Sequence, residues 1–462
     1  MPNKSADFPL APANAPADFR EYIENGYCYI DKTAWLQDLF LRTNYAQVIL
    51  RPQGTGKSLL LSALRYFLEM DYKNPGDVSL QQRLFKGLKV TEDQEFCSQC
   101  MGQYPVIFLN LAGIEGENLE EACAALADKL FDLIAQFAWL SDSERLDQWD
   151  KKYLQVLLNH EVFTGSGNRD YVRLALDELC TLLHAHTGRR IVVLADGYDS
   201  LLQQAILRGY RDRLLDLISH MLDDVARDNP GIGKVIITGR LRPAKESRLS
   251  GCLENLSYNT PLTWNGRLDA AFGFTSEETR ELLKSRGADE SFEMLKTWCC
   301  VCSIGCQELF NPQEVATYAR NFDISGDRTA MPRLCRDGRF IAAFLPYLNS
   351  QDTDCLQALL EGKTTEFWAD GSLSYRELDL HFGEHFWSVL VFAGLLVLAR
   401  RGSEGVHEFR IPNEMSRQCL RAAIPRQCSQ HKKFSDSKPV PWFQLVFQAF
   451  AGKQTWVLPA VK

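Results

Sequence analysis

The segment Val48-Ile49-Leu50-Arg51-Pro52-Gln53-Gly54-Thr55-Gly56-Lys57-Ser58 constrains the chain more than any other. It reads as a short buried strand, a glycine-bearing turn, and the start of a helix with apolar residues at Leu60, Leu64, Phe67 and Leu68. That geometry makes a phosphate cradle. Glycines let the backbone approach anionic oxygens, and the first helical amides face them with the positive end of the macrodipole. Lys57 adds a point charge and Ser58 a hydroxyl ligand for Mg2+. The residues expected around a nucleoside triphosphate are Gln53, Gly54, Thr55, Gly56, Lys57, Ser58 and Leu59. The full phosphate-loop pattern wants glycine five positions before Gly56, where this chain has Arg51, so the signal is Gly-Lys-Ser with Gly54 in support. The bland alternative is an ordinary strand-to-helix turn, which the flanking strand and helix patterns disfavour.

A second segment completes the expectation. Arg190-Ile191-Val192-Val193-Leu194-Ala195-Asp196 is an aliphatic run ending in a carboxylate, the pattern of a central parallel strand with its acid at the carboxyl end, where ligands sit. Asp196 is therefore expected to share a Mg2+ with Ser58, directly or through water. In hydrolytic members of the phosphate-loop class a glutamate commonly follows and polarises the attacking water; here Gly197 follows. Without a positioned base, about 100- to 10,000-fold of general-base assistance is lost, while binding survives. Asp199 reads as the cap of a helix over Ser200 to Leu207, with base duty as the lesser alternative. A further strand, Gly233 to Arg240, ends in polar residues. Thr238 is placed there to sense a γ-phosphate, and Arg240 or Arg242 to pair with it, against the plainer reading of surface salt bridges. The catalytic candidates are thus Lys57, Asp196, Thr238 and Arg240.

Strands alternating with helices over residues 45 to 240 imply an α/β fold with a parallel sheet. Tyr104 to Leu111 reads as another covered strand, and helices are expected at Leu119 to Leu140, at Tyr171 to His184, and around Leu214 to Met221. At 462 residues the chain has room for two or three domains. A net charge of -8 argues against non-specific coating of nucleic acid or anionic membrane. Phe386 to Ala399, the most apolar stretch, is too short to span a bilayer and reads as a buried element. The Pro/Ala-rich start has no signal or anchor pattern, so a cytoplasmic setting with reduced thiols is expected. Cys97-x-x-Cys100 and the cysteines at 299, 300, 302 and 306 lack a standard zinc spacing and read as thiols.

Widely spaced pieces then carry a resemblance. Tyr29-Ile30-Asp31-Lys32-Thr33, Arg51-Pro52 through Ser58, Tyr104-Pro105-Val106, Leu194 to Asp199, Ile237-Thr238-Gly239 with Lys245-Glu246-Ser247, Phe272-Gly273-Phe274-Thr275, Asn311-Pro312, Phe386-Trp387-Ser388 and Ile411-Pro412-Asn413-Glu414 stand in order. Over about residues 19 to 415 the chain resembles the bacterial AAA-ATPase-like P-loop family, whose members often add a nuclease-like domain. The resemblance implies a P-loop NTPase core with its parallel sheet flanked by helices, followed by a mostly helical, winged-helix-like lid, and a bacterial, cytoplasmic, ATP- and Mg2+-binding protein. The expected division is a flexible start over 1–18, the core over 19–275, the lid over 276–420, and a tail over 421–462 without a nuclease site. Members usually read Arg-Pro-Arg-Arg-Phe before Gly-Lys-Ser and Asp-Glu-Tyr-Asp at the acidic strand, so this chain departs at Gln53-Gly54-Thr55 and at Gly197.

Three functions compete. One is an active ATPase that remodels a partner. The second is a nucleotide-dependent switch, with ATP and Mg2+ closing the lid and hydrolysis slow or absent; its partner would be another protein or a second copy of the chain. The third, nucleic-acid handling, rests on Arg240, Arg242, Lys245 and Arg248 alone and is disfavoured by the acidic balance.

Overall fold

In the computed structural model of the chain the described residues are 9–12, 15–41, 45–112, 114, 116–165, 169–198, 202, 205, 209–226, 229–242, 256–259, 268–304, 307–325, 348–376, 382–403 and 406–423. Asp199, Lys245, Arg248 and the tail beyond 423 lie outside them, as does most of the helix expected at 200–207.

The helices are α1 (Phe19–Glu24), α2 (Leu36–Leu41), α3 (Lys57–Leu68), α4 (Ser79–Leu84), α5 (Gln94–Cys100), α6 (Leu119–Ala135), α7 (Gln148–Leu157), α8 (His160–Thr164), α9 (Arg169–Thr187), α10 (Arg211–Ala226), α11 (Ser276–Ser285), α12 (Phe292–Cys299), α13 (Pro312–Ser325), α14 (Ser350–Leu360), α15 (Phe382–Phe392) and α16 (Glu414–Ala423). The strands are β1 (Ala46–Leu50), β2 (Val106–Asn110), β3 (Ile191–Asp196), β4 (Ile232–Gly239), β5 (Leu256–Asn259), β6 (Phe274–Thr275), β7 (Cys300–Ile304), β8 (Gln307–Phe310), β9 (Thr365–Trp368), β10 (Val397–Arg400) and β11 (Val406–Arg410).

Strands β1 to β5 form one parallel sheet in the order β2-β3-β4-β1-β5. Alternation along each strand sends successive side chains to opposite faces. Ile49, Val192, Leu194 and Ile236 meet Leu60, Leu61, Leu64 and Phe67 of α3 on one face. Val48, Leu50, Val193, Val235 and Ile237 meet α6, α9 and α10 on the other. A sheet covered on both faces favours strands that are nearly all apolar, and every residue of β1 and β3 is buried, Gln47 and Asp196 being their polar exceptions.

Two expected elements divide. The helix from Leu119 ends at Ala135, and a short 3-10 turn over Ala138–Asp142 follows. The apolar run from Phe386 is buried, but splits at Gly394 into α15 and β10. Gly394 takes a left-handed φ of 74°, which ends the helix.

After the main sheet, α11 to α13 pack with strands β6-β8-β7 around Leu283, Phe292, Leu295, Phe310, Val315 and Tyr318. A second antiparallel sheet, β10-β11-β9, packs with α14 and α15, and its core residues Phe367, Phe386, Leu390 and Phe409 run on into that of the main sheet. Backbone pairing helps join them: Arg242 N–H donates to Leu373 O at 3.3 Å, and Tyr375 N–H to Arg242 O at 2.9 Å. The N-terminal Asp-Lys-Thr also serves as a clamp. Asp31 accepts from Thr33 and from Lys89 N–H, while Lys32 Nζ reaches Ala270 O at 2.8 Å and Glu278 Oε2 at 2.6 Å.

Candidate nucleotide site

Between β1 and α3 the chain turns through residues 51 to 56 with Gly54 at φ 79° and Gly56 at φ 89°. Both are left-handed values that a side chain disfavours, which is why glycine stands there. Gly56 is the N-cap of α3, so the helix begins at Lys57, at the mouth of the loop. Lys57 Nζ donates to Arg51 O at 2.8 Å and Pro52 O at 2.9 Å, and Thr55 Oγ1 donates to Pro52 O at 3.0 Å. The ammonium is held inside the turn rather than extended into solvent. Arg51 is buried, with its guanidinium 5.8 Å from the Phe272 ring centroid and its Nη1 donating to Leu50 O at 3.1 Å. It braces the turn from the Phe272 side.

The register of the sheet sets where the acid stands. Ile49 of β1 is level with Thr238 of β4, and Ala195 of β3 with Ile237 of β4, so Asp196, Thr238 and Ile49 share one level at the carboxyl edge. One strand, β4, separates Asp196 from β1, a span of about 10 Å between the outer strand axes at ~4.8 Å per step. Asp196 is 3% exposed. Its Oδ1 accepts from the Thr238 hydroxyl, which in turn accepts from Gly197 N–H at 3.1 Å. Thr238 thus orients the acid, with its hydroxyl committed to that neighbour.

Gly197 has φ 65°, and its N–H also reaches Thr238 O at 3.1 Å. The residue after the acid is therefore turned back toward β4 in a conformation that a glutamate adopts only with strain. Tyr198, fully buried, donates its hydroxyl to Leu241 O. Its ring lies where a Cβ at Gly239 would come within 2.3 Å, so Gly239 makes room for it.

Two further neighbours stand against the loop: Arg240, which is among the sequence candidates, and a downstream segment that the sequence did not place there. Arg240 Nη2 donates to Gln53 Oε1 at 3.2 Å, which brings that arginine to the rim. The start of α13 also covers the loop: Asn311 Nδ2 donates to Gln53 O at 3.0 Å, and Gln313 N–H to Gly54 O at 3.3 Å. The Asn311-Pro312 pair was visible as part of the family pattern, but nothing in the sequence said that it folds back over 258 residues.

Hard oxygen donors at Ser58 and Asp196 fit Mg2+. Thr238 engages Oδ1 of Asp196, which leaves Oδ2 for a metal or its water. Among the described residues no group of three or more His, Cys, Asp or Glu side chains is placed to hold a metal. A cleft of about 500 Å3 lies elsewhere, between α12 and α16. Its lining includes Lys296 paired with Glu308 at 2.7 Å and Arg417 with Glu414 at 3.2 Å, so these charges are satisfied within the cleft.

A parallel five-stranded sheet with Gly-Lys-Ser at the β1-α3 turn and an acid at the carboxyl end of β3 defines a P-loop ATPase-like fold. The family described as Predicted AAA-ATPase matches residues 15–248, half of the chain, and the chain belongs to this AAA-ATPase-like family. Among solved structures, the chain is similar to the Walker-type ATPase PABY2304 of Pyrococcus abyssi, at 16% identity and a TM-score of 0.42, over 88% of this chain and 99% of that one. No curated protein matches.

Proposed function

We propose that the chain is a nucleotide-dependent switch that binds ATP with Mg2+ at the β1-α3 turn and hydrolyses it weakly or not at all. The observation that carries this reading is the contrast at the two halves of the site. The binding half keeps two left-handed glycines, Lys57 at the helix start, and Asp196 held by Thr238. The hydrolytic half has Gly197 at φ 65° where the family's glutamate would stand. In this reading Lys57 and the helix amides neutralise the phosphates, while Ser58 and Asp196 hold the ion, which would draw charge from the phosphate oxygens.

The core over 19–275 would bind the nucleotide and the region over 276–420 would act as the lid, with another protein or a second copy of the chain reading its position. Among the described residues no helix is long and apolar enough to cross a membrane. ATP should raise the melting temperature of the purified protein by linkage while phosphate release stays at background. Sustained release that disappears in Lys57→Ala would instead establish an active ATPase.

A further inference from the structure

The phosphate loop is gripped from outside by a segment 258 residues downstream in the chain. Asn311 is 2% exposed and uses both ends of its amide. Its Oδ1 accepts from Gln313 N–H at 3.0 Å and Glu314 N–H at 3.3 Å, capping α13, while its Nδ2 donates to Gln53 O at 3.0 Å. Gln313 N–H donates to the next carbonyl, Gly54 O, at 3.3 Å. The fit is close: a Cβ on Gly54 would come within 2.7 Å of Asn311 Oδ1 and 2.8 Å of Gln313 Oε1.

In a trans peptide, C=O and the following N–H point in opposite directions. Two consecutive carbonyls drawn toward α13 therefore turn the N–H groups of Gly54 and Thr55 away from it. The carbonyls of Arg51 and Pro52 face Lys57 instead. The loop is thus divided, with outer carbonyls satisfied by α13 and inner ones by Lys57.

We infer that Asn311 is a positioning residue for nucleotide: it aims the amides of Gly54 and Thr55 at the phosphate hollow, so docking of α13 and nucleotide binding support one another. The inference rests on the nucleotide-binding reading above and gives it a regulatory form, since whatever displaces α13 lowers nucleotide affinity by the same factor that nucleotide resists the displacement.

Asn311→Ser separates the two roles of the side chain. Serine caps a helix about as well as asparagine but lacks the amide that reaches Gln53. Asn311→Asp, an equal cap with an oxygen turned toward the Gln53 carbonyl, serves where the serine variant folds poorly. The measurements are calorimetric titration with Mg-ATP, and amide exchange of residues 54 and 55 in nucleotide-free protein. The expected result is about tenfold weaker binding, or ~1.4 kcal/mol, with faster exchange at those two amides. Wild-type affinity in the variants, or weaker binding with unchanged exchange, overturns the inference. If the wild type binds no nucleotide, the proposed function fails, and exchange alone decides the positioning role: faster supports it, unchanged ends it.

Discussion

The hydroxyl of Thr238 donates to Asp196 across the adjacent parallel strands β4 and β3 and accepts from Gly197 N–H at 3.1 Å. One side chain therefore orients the acid and fixes the turn that follows it. Thr238→Val keeps the shape and removes the hydroxyl. Gly197 N–H retains its bond to Thr238 O, but the buried Asp196 carboxylate loses a donor, so the cost to stability should be about 2 kcal/mol. The loss at the site should be larger in kind, a several-fold weaker nucleotide affinity only when Mg2+ is present. Titrations with and without Mg2+ check it, and equal losses in both would mean that Thr238 has no part in ion binding.

Gly197 sets a limit on repairing hydrolysis. At φ 65° a β-carbon costs about 1–2 kcal/mol, so Gly197→Ala should lower the melting temperature visibly. Gly197→Glu carries the same strain and starts from a backbone turned toward β4. Phosphate release should stay at background in that variant. Turnover restored by the single change would show that the turn relaxes to accept a base.

Gly54 allows a sharper test of the loop. Gly54→Ala would add strain at φ 79° and drive a methyl against Asn311 and Gln313. Stability should fall by about 2 kcal/mol, combining the backbone and crowding costs. Nucleotide affinity should fall with it. Thermal melts beside calorimetry give both numbers, and unchanged binding would place the nucleotide elsewhere.

Lys234 gives a pH signature of the fold itself. It is buried on β4 opposite Val192, and desolvation lowers its pKa to about 8 from 10.5. The unfolded chain therefore binds the proton more tightly than the folded one. Stability should rise as pH increases from about 8 toward 9.5, by an amount on the order of 1 kcal/mol. Lys32, also lowered by burial, acts in the same direction. Subtracting the profile of Lys234→Met from that of the wild type isolates the contribution of Lys234. A flat difference over that interval would show that the ammonium is solvated in the folded protein.

Much of this was legible in the residues. Aliphatic runs ending in Ser58's loop, in Asp196 and in Gly239 marked β1, β3 and β4 because a doubly covered strand has no polar face to confuse the pattern. The order β2-β3-β4-β1-β5 was not legible, since pairing between strands distant in sequence leaves no local trace. The sequence likewise left Arg240 between a γ-phosphate and a surface salt bridge, and the structure stands it at the loop's rim, where it donates to Gln53. Thr238 sits at the predicted strand end, but its bond to Asp196 depends on the register of two strands. Gly197 was visible as a departure, and only its φ shows that the backbone there also differs in shape. The Asp31-Lys32-Thr33 segment was visible as part of the family pattern, and only the structure shows that Lys32 ties the core to Glu278.

The most direct measurement is calorimetric titration of Mg-ATP into the wild type and Lys57→Ala, with phosphate release followed in parallel. The wild type should bind, the variant should bind at least tenfold more weakly, and release should stay at background in both. Equal binding by the two proteins, or none by the wild type, would contradict a phosphate hollow at the start of α3.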